Sequence, residues 1–207
     1  MPDPDRFIPI PPQALTGPRV RLRPWSDADS EPFAALNADA EVMRYFPATL
    51  SRLQSDELMA DIQRRMALRG WGLWALEIAG DADGVQAPQF IGFTGLNIPA
   101  ASLPFSPCVE VGWRLARPWW GKGLASEAAH LALQVGFHNL GLPEIVAFTT
   151  LANLRSRAVM RRLRMTESRA DAFEHPGVPL GSPLRPHCLY RLSRARWADQ
   201  TTPSPDN

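Results

Sequence analysis

Apolar and polar residues follow strand-like and helix-like spacings in the first third of the chain. Residues 19–24, RVRLRP, alternate with a period of two, which is typical of a half-buried strand. Residues 26–37 and 51–70 each begin with polar N-caps, and in the second stretch apolar residues recur near helical spacing. The pattern therefore predicts one strand followed by two helices.

The pattern of apolar and polar residues in the middle of the chain predicts three consecutive strands and a buried helix. Strands are expected over residues 71–78 and 89–98, joined by a turn-rich loop at 80–84, and over residues 108–115. A helix over residues 121–140 is apolar on almost every side, so it should be largely buried. The third strand separates its side chains onto two faces, with Val109, Val111, Trp113 and Leu115 on one and Glu110, Gly112 and Arg114 on the other.

The last third of the chain adds strands and one more helix. A short strand is expected over residues 145–150, a helix from Asn153 to about Leu163, and closing strands over 166–173 and 187–193. Three consecutive strands precede the long helix, which favours an α+β fold with a mixed sheet over a strictly alternating parallel one.

The two ends of the chain differ from this central part. Residues 1–18 contain six prolines, which predicts an extended N-terminal arm that lies over the surface or is disordered. Residues 198–207 are polar and contain two prolines, which predicts a disordered tail. We therefore expect one domain over residues 19–197.

Composition and charge narrow the classes of function. The chain has 207 residues, and 22 Lys and Arg residues against 21 Asp and Glu give a net charge of +1. This balance gives no general attraction to nucleic acid or to an anionic membrane. No signal peptide, apolar run long enough to span a bilayer or disulfide framework is recognisable. We expect a cytoplasmic protein without a metal site.

The segment 117–127 joins a predicted strand to the buried helix and carries two glycines. Gly121 and Gly123 allow the backbone to approach a ligand closely. Unsatisfied N–H groups at a helix N-terminus suit a pyrophosphate, and Lys122 could add a positive charge. An ordinary strand-to-helix turn also fits these residues. A nucleotide P-loop does not, because Gly123 stands where that motif has a hydroxyl residue, and Ser126 weakens a dinucleotide fingerprint.

Several segments in order resemble one family. The stretch EVGWRLARPWWGKGLASEAAHLAL is similar to the acyl-CoA-binding motif of GNAT acetyltransferases, whose core is Gln/Arg-x-x-Gly-x-Gly/Ala. Within this family, the stretch is most similar in sequence to the branch that includes the ribosomal-protein N-terminal acetyltransferases. The resemblance continues upstream in RVRLRPW and GWGLWALE, and downstream in LANLRSRAVMRRLRM and HCLYRLSRARW. It covers residues 19–197.

The resemblance implies a fold, a cofactor and a reaction. The fold is a mixed, mostly antiparallel twisted sheet flanked by helices, in which a splayed strand pair holds acyl-CoA. The cofactor is acetyl-CoA, and the acetyl group passes directly to a primary amine of a protein N-terminus or a small molecule. The implied cofactor-binding residues are Val111, Trp113, Trp120, Gly121, Lys122, Gly123, Leu124, Ala125, Asn153 and Ser156.

Such a reaction needs a proton donor for the departing thiolate. Ser156 is the expected donor because it lies three residues after Asn153, so both can face the cofactor from one helical turn. The same pair also fits a plain helix cap with a first-turn filler. The tyrosine that many members of the family use is Met160 here, and a usual glycine is Arg164, which predicts an altered turn.

The reaction also needs a base that leaves the amine neutral. Glu110 is the first candidate, because its strand face lies opposite the apolar row and just before the glycine segment. A solvent-facing or ion-paired Glu110 fits the pattern equally. Glu77 is the second candidate, although a surface position is expected for it. His175 and His187 have suitable intrinsic pKa values but are expected to be structural.

Arginines and tryptophans leave further alternatives open. Five arginines between 155 and 164 could bind the 3′-phosphate of coenzyme A or RNA, although a solvated helix face fits better. Trp74 and Trp113 are expected in the core, whereas Trp71, Trp119 and Trp120 are candidates for the channel wall.

The leading hypothesis is an acetyl-CoA-dependent N-acetyltransferase that acts on a primary amine. The alternatives are a non-catalytic acyl-CoA-binding module and an RNA-associated interaction protein, the latter disfavoured by the neutral net charge. Acceptor specificity should arise from residues 26–69 and 174–186, which carry no readable motif. The sequence leaves open whether the protein forms a homodimer.

Overall fold

The computed structural model describes residues 8–10, 15–79 and 88–201, and these form one sheet with helices on both faces. The strands are β1 Val20–Arg23, β2 Leu73–Ile78, β3 Gln89–Asn97, β4 Glu110–Leu115, β5 Glu144–Thr150, β6 Thr166–Glu167, β7 Phe173–Glu174 and β8 Pro186–Ser193. The helices are α1 Ser30–Ala38, α2 Arg52–Arg69, α3 Leu124–Gln134, α4 Leu154–Arg162 and α5 Arg194–Thr201.

The strands form an eight-stranded sheet in the order β1-β2-β3-β4-β5-β8-β6, with β7 also paired to β8. Every pairing is antiparallel except that of β4 with β5, which is parallel. The predicted α+β fold with a mixed, mostly antiparallel sheet is therefore confirmed. No helix in the described ranges is long and apolar enough to cross a membrane.

Two apolar layers cover the two faces of the sheet. On one face α3 packs against side chains such as Leu76, Ile91 and Val111 in the larger core. On the other face a smaller core contains α1 and α2 side chains together with Phe93. Alternate residues of one strand enter different cores, as the period of two requires. The predicted strand faces of residues 108–115 agree with this arrangement.

The second helix has the ends that its sequence predicts. The Ser51 side chain accepts a hydrogen bond from the Gln54 N–H, and the Gln54 side chain accepts one from the Ser51 N–H in return. This capping box satisfies two otherwise free backbone donors. Gly70 ends the helix in the left-handed conformation, with φ of 77°.

Glu77 is not the surface residue that the sequence predicts. Its side chain is only 5% exposed and accepts charged hydrogen bonds from Arg23 at 2.5 Å and Arg21 at 3.1 Å. Arg23 also pairs with the buried Asp29 at 2.6 Å. Glu77 therefore helps to fasten β1 to β2, and it lies away from the cavity described below.

Element boundaries differ from expectation near the C-terminus. The single strand predicted over 166–173 is two short strands, β6 and β7, separated by a 3-10 turn. The predicted boundary of the disordered tail, residue 198, is too early. Helix α5 continues to Thr201 and is anchored by Trp197, which is 1% exposed. The predicted loop 80–84 and residues 202–207 lie outside the described residues.

Arg164 occupies the turn after α4 in a conformation that suits glycine. The Arg164 N–H donates to Arg161 C=O at 2.9 Å, and the Met165 N–H donates to Met160 C=O at 3.1 Å. These two hydrogen bonds form a Schellman motif, which needs a left-handed residue at Arg164, where φ is 55°. The expectation that arginine alters this turn is wrong, since the turn persists with a strained residue.

Replacing Arg164 by glycine should therefore stabilise the protein. The left-handed conformation costs a residue with a Cβ atom about 1 kcal/mol or more relative to glycine. We expect R164G to raise the free energy of unfolding by about 1 kcal/mol, measured by urea denaturation.

Arg164→Ala is the matched control. It removes the same exposed side chain but keeps the Cβ atom, so it should give no comparable gain. Equal stabilities of the glycine and alanine variants would show that backbone strain is not responsible.

Candidate active site

β4 and β5 touch at one end and then separate. Their only paired register position is Glu110 with Val146, where the Val146 N–H donates to Val109 C=O at 2.9 Å. β4 is hydrogen-bonded along its other edge to β3 over six residue pairs. The strands run parallel, so the gap between them opens toward their carboxyl ends. The chain enters α3 after β4 and α4 after β5, which places both helix N-termini at this opening.

The turn before α3 depends on glycine at two positions. Gly121 and Gly123 have φ values of 74° and 80°, in the left-handed region that residues with a Cβ atom rarely adopt. Among the described residues, no hydrogen bond leaves the N–H groups of residues 121–125. These donors are the unsatisfied groups of a helix start, and the helix dipole adds partial positive charge there.

Arg19 holds this turn in place. Its N–H donates to Glu127 Oε1 at 2.7 Å, its Nε donates to Glu127 Oε2 at 2.8 Å, and its Nη1 donates to Lys122 C=O at 2.9 Å. The Lys122 ammonium lies 4.7 Å from the Trp119 ring centroid. The Arg19 contacts tie the first turn of α3 to the start of β1.

One cavity of about 670 Å³ fills the opening between β4 and β5. The residues that the sequence predicts for cofactor binding or catalysis line this cavity, with the exceptions of Lys122 and of Glu77, the second candidate base. They are Glu110, Val111, Trp113, Trp120, Gly121, Gly123, Leu124, Ala125, Asn153 and Ser156. The structure thus brings together two segments whose nearest residues in this set, Ala125 and Asn153, are 28 positions apart in the chain.

Ser126 is a cavity residue that the sequence did not indicate as a binding group. Its hydroxyl is buried in the first turn of α3 and has no hydrogen-bond partner among the described residues. A buried hydroxyl without a partner is costly. Its position beside the free N–H groups of residues 121–125 fits the pyrophosphate of coenzyme A, which supplies acceptor oxygens for both.

Glu110 combines a catalytic residue type with an unusual pKa. Burial raises the pKa of its carboxyl to about 7, although a hydrogen bond with the Asn97 side chain acts in the opposite direction. Asn97 lies directly opposite Glu110 in the β3–β4 register. A carboxylate with such a pKa can accept a proton near neutral pH and release it again.

Asn153 and Ser156 form the start of α4. The Asn153 Oδ1 accepts a hydrogen bond from the Ser156 N–H at 3.1 Å, and its Nδ2 donates to Thr149 Oγ1 at 3.1 Å. Asn153 is therefore a helix cap, as one of the two sequence interpretations stated. The Ser156 hydroxyl makes no hydrogen bond with any described residue and lines the cavity. Met160, which replaces the usual tyrosine, is 1% exposed.

An aromatic wall, defined here as the ring cluster of Phe105, Phe148, Phe173, His175 and His187, reaches the cavity through three of its members, Phe148, His175 and His187. The two histidine rings lie 4.9 Å apart, and Phe105 packs against Phe173 at the same distance. Burial, together with nearby charge, lowers the pKa of both histidines. His175 and His187 belong to this packed ring cluster, in which burial disfavours the charged imidazolium.

The segment between α1 and α2 also lines the cavity, to which it contributes Tyr45 and Phe46. On the β4 face below it, the Arg114 Nη1 donates to Asn37 Oδ1 at 2.5 Å. The sequence placed Arg114 on the correct face but did not single it out. No local motif marks Tyr45, Phe46 or Arg114, since their meeting depends on how α1 lies across the sheet.

The structure agrees with some of the predictions for tryptophans and arginines and contradicts others. Trp71 is wrong as a channel residue, since it is 2% exposed in the core, whereas Trp119 and Trp120 line the cavity. The Arg155 guanidinium stacks on Trp120 at 4.6 Å and pairs with Glu41 at 3.4 Å. Arg157 pairs with Glu167 at 3.1 Å. Of the five arginines, only Arg155 and Arg162 line the cavity.

Comparison with known proteins agrees with this geometry. The family model described as the acetyltransferase (GNAT) domain matches residues 19–166. The chain is 26% identical to the FsC-acetyl coenzyme A-N(2)-transacetylase of Aspergillus fumigatus over 197 residues, which cover 90% of the chain and 78% of the relative.

Solved structures share the fold. An acetyltransferase from Agrobacterium tumefaciens superposes with a TM-score of 0.68 at 24% identity and covers 90% of this chain and 96% of its own. RimJ of Mycobacterium smegmatis, in complex with CoA-disulfide, gives a TM-score of 0.64 at 21% identity, covering 89% and 85%.

The family match extends from β1, through the turn before α3 (here called the cofactor turn) and through α4, into β6. It therefore includes the diverging strands β4 and β5 and the N-termini of both helices. The same part of the chain contains the buried Ser126 hydroxyl and the N–H groups of residues 121–125, which have no hydrogen-bond partner among the described residues. The chain belongs to the GNAT acetyltransferase family and is an N-acetyltransferase that takes its acetyl group from acetyl-CoA.

Proposed function

We propose that this protein transfers acetyl groups directly to a primary amine, either of a small molecule or of a peptide N-terminus. The observation that carries the proposal is the position of Glu110. Its carboxyl, with a pKa raised to about 7, lies where β4 and β5 begin to separate and lines the cavity that the two helix N-termini also enter. A proton acceptor is thus available next to the cofactor site.

Acetyl-CoA fits the groove with its pyrophosphate at the start of α3. The N–H groups of residues 121–125 and the Ser126 hydroxyl would hold the pyrophosphate. Val111 and Trp113 on β4 would line the pantetheine arm, since β4 has no partner strand on this side beyond Glu110. Lys122 lies outside the cavity, so its contribution would be long-range charge only. When bound, acetyl-CoA supplies an activated thioester.

Glu110 would accept the proton that an attacking ammonium group must lose. Alkylamines are almost fully protonated at pH 7, so a base at the cleft increases the fraction of neutral amine that reacts. The cost of burying the Glu110 carboxylate is what raises its pKa to about 7. Neither histidine of the aromatic wall has a comparable position beside the opening of the strands.

Ser156 would pass a proton to the leaving sulfur as a relay: its hydroxyl would accept the second proton that the amine nitrogen loses as the tetrahedral intermediate collapses while donating its own, so that no serine alkoxide remains. Its hydroxyl has no partner among the described residues and lies in the first turn of α4, where the helix dipole favours developing negative charge. A thiol has an ordinary pKa of about 8.5, so the leaving group needs only modest assistance near neutral pH. A serine is sufficient for that task, and the tyrosine replaced by Met160 is not essential.

The choice of nitrogen as acceptor atom is supported by one relative. The name of the Aspergillus fumigatus protein specifies transfer from acetyl coenzyme A to an N(2) nitrogen. The likeness to RimJ supports placing the chain near the ribosomal-protein N-terminal acetyltransferases, although at 21% identity that likeness concerns the fold.

The function is tested by thiol release. The purified protein is incubated with acetyl-CoA and a panel of alkylamines, amino acids and short peptides, and free thiol is measured with acetylated product identified by mass. Amine-dependent thiol release with one acetyl group added to nitrogen is expected. Coenzyme A binding without turnover of any amine would contradict the proposal.

Ser126→Ala should separate cofactor binding from stability. Removing a buried hydroxyl that lacks a partner should leave the free energy of unfolding of the unliganded protein unchanged or slightly higher. The same variant should raise the Kd of coenzyme A about tenfold, as expected for a lost hydrogen bond to a charged group. Calorimetric titration and urea denaturation measure the two effects.

A parallel loss of stability and affinity in this variant would contradict the assignment, because it would mean that the hydroxyl supports the fold rather than the pyrophosphate.

The pKa of Glu110 predicts a break in the pH profile. For an alkylamine acceptor, kcat/KM should rise with pH up to about 7 and level off above it, because Glu110 must be ionised to take the proton of the ammonium form, which predominates over this range. Glu110→Gln should lower kcat/KM about 100-fold or more and remove the break. The pH profile is measured with saturating acetyl-CoA from about pH 5.5 to about pH 9, a range that brackets a titration near 7.

Ser156→Ala is the comparison variant. It should lower kcat by about tenfold without moving the break, because it changes the acid and leaves the base intact. If the break persists in Glu110→Gln, the group that titrates is not Glu110. His187, a cavity residue of a type that can act as a base, would then be the next candidate.

A further inference from the structure

Arg114 carries a charge that the described part of the protein does not neutralise. Its Nη1 donates to the neutral Asn37 side chain, and its Nε is buried without a hydrogen-bond partner. No described carboxylate lies within ion-pair distance of its guanidinium. By contrast, Arg155, which also lines the cavity, pairs with Glu41. Arg114 is thus a cavity-lining cation whose counter-charge must come from elsewhere.

The surroundings of this guanidinium strengthen its attraction for an anion. It lies 4.3 Å from the Phe46 ring centroid and 5.2 Å from that of Phe93, so aromatic rings flank it. Burial lowers the pKa of Arg114 to about 10, which still leaves it protonated at neutral pH. An ionic hydrogen bond is stronger in such a low-dielectric setting than in water.

The floor between Arg114 and Glu110 is open. Glu110, Gly112 and Arg114 alternate with the core-facing residues and share one face of β4. Among the described residues, a Cβ atom added to Gly112 would meet only Glu110 Oε1, at 4.0 Å. The Cα atoms of Glu110 and Arg114 are about 13 Å apart in an extended strand. An acceptor molecule can therefore lie along β4 with one end at each charged group.

We propose that Arg114 binds a carboxylate of the acceptor, several bonds away from the amine that Glu110 deprotonates. This inference rests on the proposed amine acetylation and specifies its substrate class. The planar guanidinium can give two parallel hydrogen bonds to a carboxylate, which makes it a recognition group as well as a charge.

Two pairs of probes distinguish the source of the carboxylate. The first pair is 6-aminohexanoate and its neutral amide. The second is the peptide Ala-Ala-Glu and its counterpart Ala-Ala-Gln, both with amidated C-termini. Each pair keeps the amine and the length and changes only the charge. A preference in the first pair indicates a small acid, and one in the second indicates an acidic peptide.

The wild-type protein should use the acid of at least one pair with kcat/KM about tenfold or more above that of its neutral counterpart, mainly through a lower KM. Calorimetric titration without acetyl-CoA should show the same preference in Kd, which makes the result independent of turnover.

Arg114→Gln should reduce this acid-to-neutral ratio to about one, while Arg114→Lys should retain part of it. Because the ratio compares two acceptors on one protein, a general loss of activity from a displaced Asn37 cancels. Arg117→Gln, which changes an exposed arginine outside the cavity lining, is the matched control and should keep the wild-type ratio.

Equal use and equal binding of acid and neutral probes by the wild-type protein would overturn the inference while leaving amine acetylation intact. A preference that survives in Arg114→Gln would overturn it too. If no probe is acetylated, the proposed reaction fails on these amines, and the calorimetric preference alone then decides the role of Arg114.

Discussion

The active site depends on one constraint in the sheet, which is that β4 and β5 hydrogen-bond at a single register position and then diverge. Parallel strands that stayed paired would leave no space between them. The divergence opens a cavity, leaves one edge of β4 available, and directs the N-termini of α3 and α4 toward the same space. Arg19 preserves this geometry by joining the cofactor turn to β1 through Glu127 and the Lys122 carbonyl.

The two faces of β4 then acquire different roles. Val111 and its neighbours face the larger core beneath α3, so the strand is held firmly by apolar packing. Glu110 and Arg114 face the other layer, where burial shifts the pKa of both toward neutrality. Gly112 keeps the space between them open. One short strand can thus present a base and an anion-binding group to the same acceptor.

Sequence patterns predicted the fold class, most elements and the two segments at which α3 and α4 begin beside the cavity, because these depend on local spacing and on short motifs. They failed where distant contacts decide. Glu77 looked like an exposed strand residue, yet Arg21 and Arg23 bury it in an ion-pair cluster. Arg164 was expected to alter the turn after α4, yet the hydrogen bonds from Arg164 N–H to Arg161 C=O and from Met165 N–H to Met160 C=O preserve it.

The sequence by itself determined that glycines precede a buried helix, that Asn153 caps the next one and that Glu110 faces away from the apolar row of its strand, since each follows from residue type and periodicity. Only the tertiary structure decided that Glu110 titrates near neutral pH and that Ser126 and Arg114 lack partners. Desolvation and hydrogen bonding are properties of the space around a group, and residues far apart in the chain create that space.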